Sequence, residues 1–170
     1  MARIGRRGRL WLRSFHIFFM VLWIGAVVSQ VVILMFSSLA KSGGALQAFN
    51  AAPQILNILT GPGCLGTIVT GILLCWLTPW GFFKHKWIIY TMVVVILDIG
   101  VAQIFGEPVV NKMAALAEAE GLSALQNPEY VSAWNRLVIL TIVTSLLLIS
   151  ALFVSVMKPW RKRKEVEAAE

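Results

Sequence analysis

The chain has 170 residues, of which 58% are apolar, with 15 Lys and Arg against 8 Asp and Glu. That apolar share lies above the roughly 45–50% of soluble domains and argues against a water-soluble enzyme. The charge of +7 is confined to segments flanking apolar runs and lacks interleaved aromatics, which argues against nucleic acid as the partner.

Four apolar stretches follow one another, Leu10–Phe36, Ile55–Thr78, Trp87–Phe105 and Ala133–Met157. Each approaches or exceeds the roughly 20 residues that carry a helix across a ~30 Å hydrocarbon core. The expected fold is all-α: a polytopic, single-domain bundle of four transmembrane helices in contact with the lipid bilayer. Twelve basic residues fall in three segments, Arg3 to Arg13, Lys84 to Lys86 and Lys158 to Lys164. With four crossings those segments share one face. The positive-inside rule then predicts cytoplasmic N- and C-termini, with 158–170 a basic cytoplasmic tail, in a bacterial inner membrane. Arg6 and Arg7 before an apolar run superficially resemble a signal peptide, but Phe15–Phe36 is too long for one and is read as a retained span.

In the first helix His16, Trp23 and Gln30 recur every seven residues, with Met20 and Val27 between them. Seven residues make almost two helical turns, so these side chains form one stripe, expected to face the bundle interior. His16 is a candidate cofactor ligand or proton relay, because neutral imidazole binds metals and titrates near physiological pH. The alternative is an interfacial histidine bonded to a carbonyl or a headgroup.

In the second helix Gly63, Thr67 and Gly71, together with Gly66, form a small-residue ridge suited to close helix packing, while Thr67 and Thr70 offer hydroxyls. Pro62 is expected near the first turn of that helix, where its missing N–H does no harm. Cys64 and Cys75 are ~16 Å apart along the axis, too far for a disulfide, and read as packing residues. The following turn mixes Trp80, Phe82 and Phe83 with Lys84, His85 and Lys86, the composition of a membrane interface. His85 is on the same membrane side as His16 and is the only other histidine.

Asp98 lies ~16 Å beyond Trp87 on the third helix, near the midplane. A carboxylate at that depth calls for a partner, and Thr67, Thr70, Thr144 and Ser145 are expected at its level. Met113–Glu120 reads as a short amphipathic surface helix. Asn127-Pro128-Glu129 carries the signature of a helix start, and Arg136 is expected to pair with Glu107 or Glu129 at the outer rim. Catalytic residues are unknown and no clustered metal ligands are recognised. No nucleophile–base set, Walker motif, zinc-helix motif or dinucleotide fingerprint occurs.

His16-x6-Trp23-x-Gly25, Gly61-Pro62-Gly63 with Thr70-Gly71, and Trp87 with Glu107-Pro108 together resemble an uncharacterised family of small bacterial four-helix integral membrane proteins. That family is similar to copper-resistance protein D-like membrane proteins and, distantly, to the haem-containing protoporphyrinogen oxidase family. The resemblance spans roughly His16 to Met113. It implies a four-helix core with a histidine near the start of the first helix, a b-type haem ligand in some members; His16, Trp23 and Gly25 are the positions that match. Two functions follow as expectations. One is a non-catalytic accessory or transport-related bundle, packing through its glycine ridge against other membrane-protein subunits or a second copy. The other is a redox-associated protein holding b-type haem through His16, with His85, Met20 or Met92 as further candidates and Asp98 as a proton site.

Overall fold

The computed structural model describes residues 4–160. Arg3 and the stretch from Arg161 to Lys164, most of the expected basic tail, lie outside the described residues. The described chain forms α1 (Arg6–Ser37), α2 (Gly43–Leu77), α3 (Lys86–Val101), a π-helical turn (Ala102–Gly106), α4 (Glu107–Glu120), a 3-10 segment (Gly121–Gln126) and α5 (Pro128–Met157). Four helical units are long and apolar enough to cross a bilayer: α1, α2, the continuous run Lys86–Gln126, and α5. The protein is an all-α four-helix membrane bundle.

Two caps have the chemistry their sequences suggest. Ser42 accepts a hydrogen bond from Ala45 N at 3.2 Å to open α2. Asn127 Oδ1 accepts from Glu129 N at 2.8 Å, with Pro128 in the first turn of α5. Elsewhere the helices run further than hydropathy suggests. The second helix starts at Gly43 rather than near Ile55, so Pro53 and Pro62 both lie inside it. Pro62 is therefore not in a first turn, as its sequence context implied. A proline inside a helix removes one backbone bond, a loss that membrane helices accommodate when neighbouring groups re-satisfy the carbonyl. Likewise the surface helix begins at Glu107, not Met113, and joins α3 through the π turn without a break.

The two ends of the bundle differ in packing. At one end, α2 N-terminus, α4, the 3-10 segment and the start of α5 enclose Leu46, Met113, Ala117, Ala124 and Tyr130, all buried. Gly121, at φ +59°, turns the chain here, and a methyl on Gly43 would lie 3.4 Å from its Cα. Within this core Asn50 Nδ2 donates to Leu46 O at 2.8 Å and to the Tyr130 hydroxyl at 3.0 Å. Trp134 Nε1 donates to Leu34 O and Ser37 Oγ, both at 3.0 Å. Tyr130→Phe removes the hydroxyl from a buried pair and leaves Asn50 under-satisfied. We expect it to cost about 1–3 kcal/mol, read by denaturant unfolding in detergent. On the rim, Lys112 pairs with Glu129 at 2.9 Å, in the place expected of Arg136.

At the opposite end lie the start of α1, the α2–α3 turn and the end of α5. Ile4 N donates to Leu77 O at 3.4 Å, and Lys158 Nζ sits 4.4 Å from the Trp80 ring centroid and 5.2 Å from that of Trp87. Hence Arg6, Arg7, Arg9, Arg13, Lys84, Lys86 and Lys158 gather at one end of the molecule. Helix α1 packs along α2 and on α5, and α3 packs on α5. The backbones of α2 and α3, though consecutive, do not approach one another among the described residues. That separation opens a cleft at the basic end.

Candidate functional site: a cleft at the basic end of the bundle

The α1 stripe and the α2 glycine ridge meet face to face. Met20, Trp23 and Val27 are buried, while His16 and Gln30 are half-buried. A methyl on Gly63 would lie 2.8 Å from Trp23 N and 3.0 Å from its Cα, so only a glycine lets the two backbones come this close. Gly66 lies against the Phe19 ring and Gly71 against His16 Cε1, which a methyl there would approach to 3.2 Å. The small-residue ridge of Gly63, Gly66, Thr67 and Gly71 therefore packs on a helix of its own chain.

His16 is held by that contact. Its Nδ1 is 2.9 Å from Thr70 Oγ1. The Thr70 hydroxyl proton goes to a carbonyl of its own helix, Gly66 O at 2.5 Å with Thr67 O at 3.3 Å. With that proton on a carbonyl, Thr70 Oγ1 is an acceptor toward the ring, and a neutral imidazole bonded to it would carry its hydrogen on Nδ1. The lone pair then resides on Nε2, the arrangement found where histidine serves as a ligand with its other nitrogen fixed by a second group.

His16 lines a cavity of about 320 Å³ enclosed by α1, α2, α3 and the end of α5. Its walls are apolar side chains such as Ile17, Met20, Leu74, Met92 and Val95, interrupted by His16, Thr67 and Thr91. At the basic end of the bundle its lining includes Arg13, Trp80, Trp87 and Lys158. Volumes near 300 Å³ and above, mostly apolar with a few polar groups, are typical of small-molecule sites. The remaining candidates lie elsewhere. Trp23, Gln30 and Thr70 are not part of the cavity wall. His85 stacks on Trp87, with ring centroids 6.1 Å apart and planes at 24°, and is outside the lining, so the two histidines do not converge on one site.

Asp98 departs from expectation. It is buried at 3% exposure, yet its Oδ1 has no hydrogen-bond partner among the described residues. The hydroxyls expected to meet it turn back onto their own helices: Thr67 to Gly63 O at 2.7 Å, Thr70 to Gly66 O, Thr144 to Thr141 O at 3.2 Å and Ser145 to Thr141 O at 2.6 Å. Ser and Thr within a helix readily satisfy a carbonyl one turn back, and that local bond wins here over a bond across the bundle. Asp98 adjoins Ile99 and is one turn from Val95; both pack on the cluster of Trp23, Val27 and Leu148.

Cys64 and Cys75 are free thiols, and Cys75 lines the cavity. No group of three His, Cys, Asp or Glu side chains arranged for a metal ion occurs among the described residues. The cluster of Trp80, Trp87 and Lys158 was not evident from spacing, because it unites the α2–α3 turn with the far end of α5; its one sequence signal was the aromatic and basic composition of that turn.

No curated protein and no solved structure matches the chain. Residues 10–159 match the family described as predicted integral membrane protein (DUF2269), and the chain belongs to that family.

Proposed function

We propose that this protein is a non-catalytic binding bundle of the bacterial inner membrane, accessory to a larger membrane system or to transport, which holds an apolar molecule in the cleft between α2 and α3. The observation that carries this reading is the apolar cavity on the side where those helices stand apart. A ligand dissolved in the bilayer meets such a cleft without crossing water. The clustering of basic residues at one end supports placing that end, with the described starts and finishes of the chain, on the cytoplasmic side. Native mass spectrometry of protein released from mild detergent tests the reading. A retained apolar molecule is expected, lost when Val95→Trp fills the cavity; equal retention in the variant overturns it.

A second reading, b-type haem in the same cavity, is favoured by the Thr70 contact that fixes the ring of His16 at the cavity wall. The residues present fit such a group. His16 is the candidate ligand, and Met20 and Met92 supply thioethers to the same cavity. Thr70 holds the imidazole in orientation through Nδ1, and the apolar wall excludes water. Haem, when bound, would supply one-electron chemistry. Protein purified from haem-replete cells should then show a Soret band that His16→Ala abolishes and Thr70→Val weakens. A colourless preparation overturns this second reading and leaves the first standing.

A further inference from the structure

We propose that Asp98 and the buried hydroxyls of α5 at its depth form an intramembrane site for a small monovalent cation such as sodium. The site goes beyond the binding reading above, because Asp98 is not part of the cleft wall.

The register of two helices brings these groups to one level. The Tyr90 hydroxyl and Ser150 Oγ are 2.8 Å apart and tie α3 to α5. Helix α3 leaves the basic end of the bundle and α5 returns to it, so the two run antiparallel. Counted away from that bond at 1.5 Å per residue, Asp98 lies ~12 Å along α3, with Thr144 ~9 Å and Thr141 ~13 Å along α5. Asp98 is therefore at a depth between the two threonines, and Ser145 follows Thr144 in the chain. All three hydroxyl residues are buried. Thr141, Thr144 and Leu148 share one face of α5 by helical spacing. Leu148 belongs to the cluster on which Val95 and Ile99 of α3 pack, and these two residues bracket Asp98.

The oxygens of this layer present lone pairs and no free protons. Thr141 donates to Leu137 O at 2.7 Å, while Thr144 and Ser145 both donate to Thr141 O. Asp98 Oδ1 has no hydrogen-bond partner among the described residues. Positive charge from the chain is not at hand either. Residues 14–37 of α1, all of α2, 87–101 of α3 and 137–157 of α5 contain no Lys or Arg, and His16 is engaged by Thr70 nearer the basic end. A carboxylate beside several oxygen lone pairs is the ligand set of a hard cation. A proton on Oδ1 would not engage these hydroxyls, since none of them bonds to it across the helices. A cation of the radius shared by Na+ and Ca2+ touches oxygens at about 2.3–2.6 Å and so bridges two of them about 4–5 Å apart, a gap no hydrogen bond spans. The single carboxylate sets the valence. One positive charge leaves the site neutral, whereas a divalent ion would leave a net charge inside hydrocarbon, at a cost.

The test uses the full chain in detergent, dialysed to equilibrium with radiolabelled sodium in a background of choline chloride, in neutral and in alkaline buffer. Uptake is expected to saturate at one ion per chain and to be competed by unlabelled sodium but not by choline. Asp98→Asn, which keeps the size and removes the charge, should abolish it. Thr141→Val with Thr144→Val should weaken it about tenfold, and Thr141→Ser with Thr144→Ser, which restores the hydroxyls, should keep it. Gly61→Ala, whose methyl meets nothing within 4 Å, should match the parent. Helical content is checked first for every variant, so that misfolding is not read as lost binding. Uptake that survives Asp98→Asn places the ion elsewhere and overturns the proposal, as does uptake indifferent to the loss of both threonine hydroxyls. Absence of saturable uptake by the unaltered protein in both buffers assigns the acid to a proton or to packing, and overturns it too. None of these results alters the retention of an apolar molecule or its loss in Val95→Trp, so the binding reading stands or falls separately.

Discussion

Gly63→Ala is expected to lower the stability of the bundle by about 3 kcal/mol or more, and Gly63→Leu to prevent a folded bundle from being recovered in detergent. The reason is the identity of the atoms that the new side chain would meet. At Gly63 they are the backbone N and Cα of Trp23, at 2.8 Å and 3.0 Å, and a helix backbone cannot swing aside. Either α1 and α2 separate along their whole contact, or the methyl is not accommodated. The neighbouring glycines make a graded comparison. Gly66 lies against the ring of Phe19, a half-buried side chain, so Gly66→Ala requires that ring to turn aside but no helix backbone to move, and should cost less. Gly71 faces only His16 Cε1, and Gly71→Ala should cost least while shifting the imidazole relative to Thr70. Gly25 and Gly61 have nothing within 4 Å of a new methyl. Alanine at either is therefore neutral or slightly stabilising, as helix propensity favours alanine over glycine. Unfolding of each variant, followed by circular dichroism against a denaturing detergent, ranks the series. Equal stability of Gly63→Ala and Gly61→Ala would contradict the close approach of the two helices.

This ridge also bears on partners. Small residues every fourth position read in the sequence as a surface for another helix, and the helix turns out to be α1 of the same chain. Further subunits or a second copy would have to use a different face.

The features legible in the sequence were those with local or periodic causes. Apolar length gave the four spans, and the seven-residue interval gave the inward stripe of His16, Trp23 and Gln30. Asn127-Pro128-Glu129 gave the start of α5. What escaped has identifiable physics. Pro62 read as near the first turn of the second helix because proline breaks helices in water, whereas α2 carries it and Pro53 in its interior. Glu107-Pro108 read as the limit of the third helix, yet the π turn absorbs the change and leads directly into α4, with Pro108 in its permissive first turn. The Asn50–Tyr130 bond joins residues 80 apart in the chain, and Lys158 finds Trp80 from the far end of the last helix. Periodicity along one helix carries no information on such pairings.

Asp98→Val should stabilise the folded bundle by about 1–3 kcal/mol, because it removes a buried acceptor that no described residue satisfies. Asp98 Oδ1 has no hydrogen-bond partner among the described residues, and the residue is 3% exposed in the middle of an apolar span. Valine is apolar and of comparable size, and fits a helix whose preceding residues include Val93, Val94 and Val95. Asp98→Asn should gain much less, since its amide brings two new N–H groups to a place where hydroxyls already bond to their own helices. Finding Asp98→Val less stable than the parent, in the same detergent series, would show that the carboxyl has a partner the isolated chain lacks, such as a bound ligand or a neighbouring subunit. The opposite result has its own consequence. A residue whose removal strengthens the fold is kept against its own cost, and polar groups of that kind within membranes mark proton, ion or ligand pathways. Pairing the stability series with retention of the apolar molecule in the cleft then separates the two roles: Asp98→Val that is more stable and still retains it assigns Asp98 to a function apart from the cleft, whereas lost retention ties the acid to the cavity that Val95 and Ile99 line on the same helix.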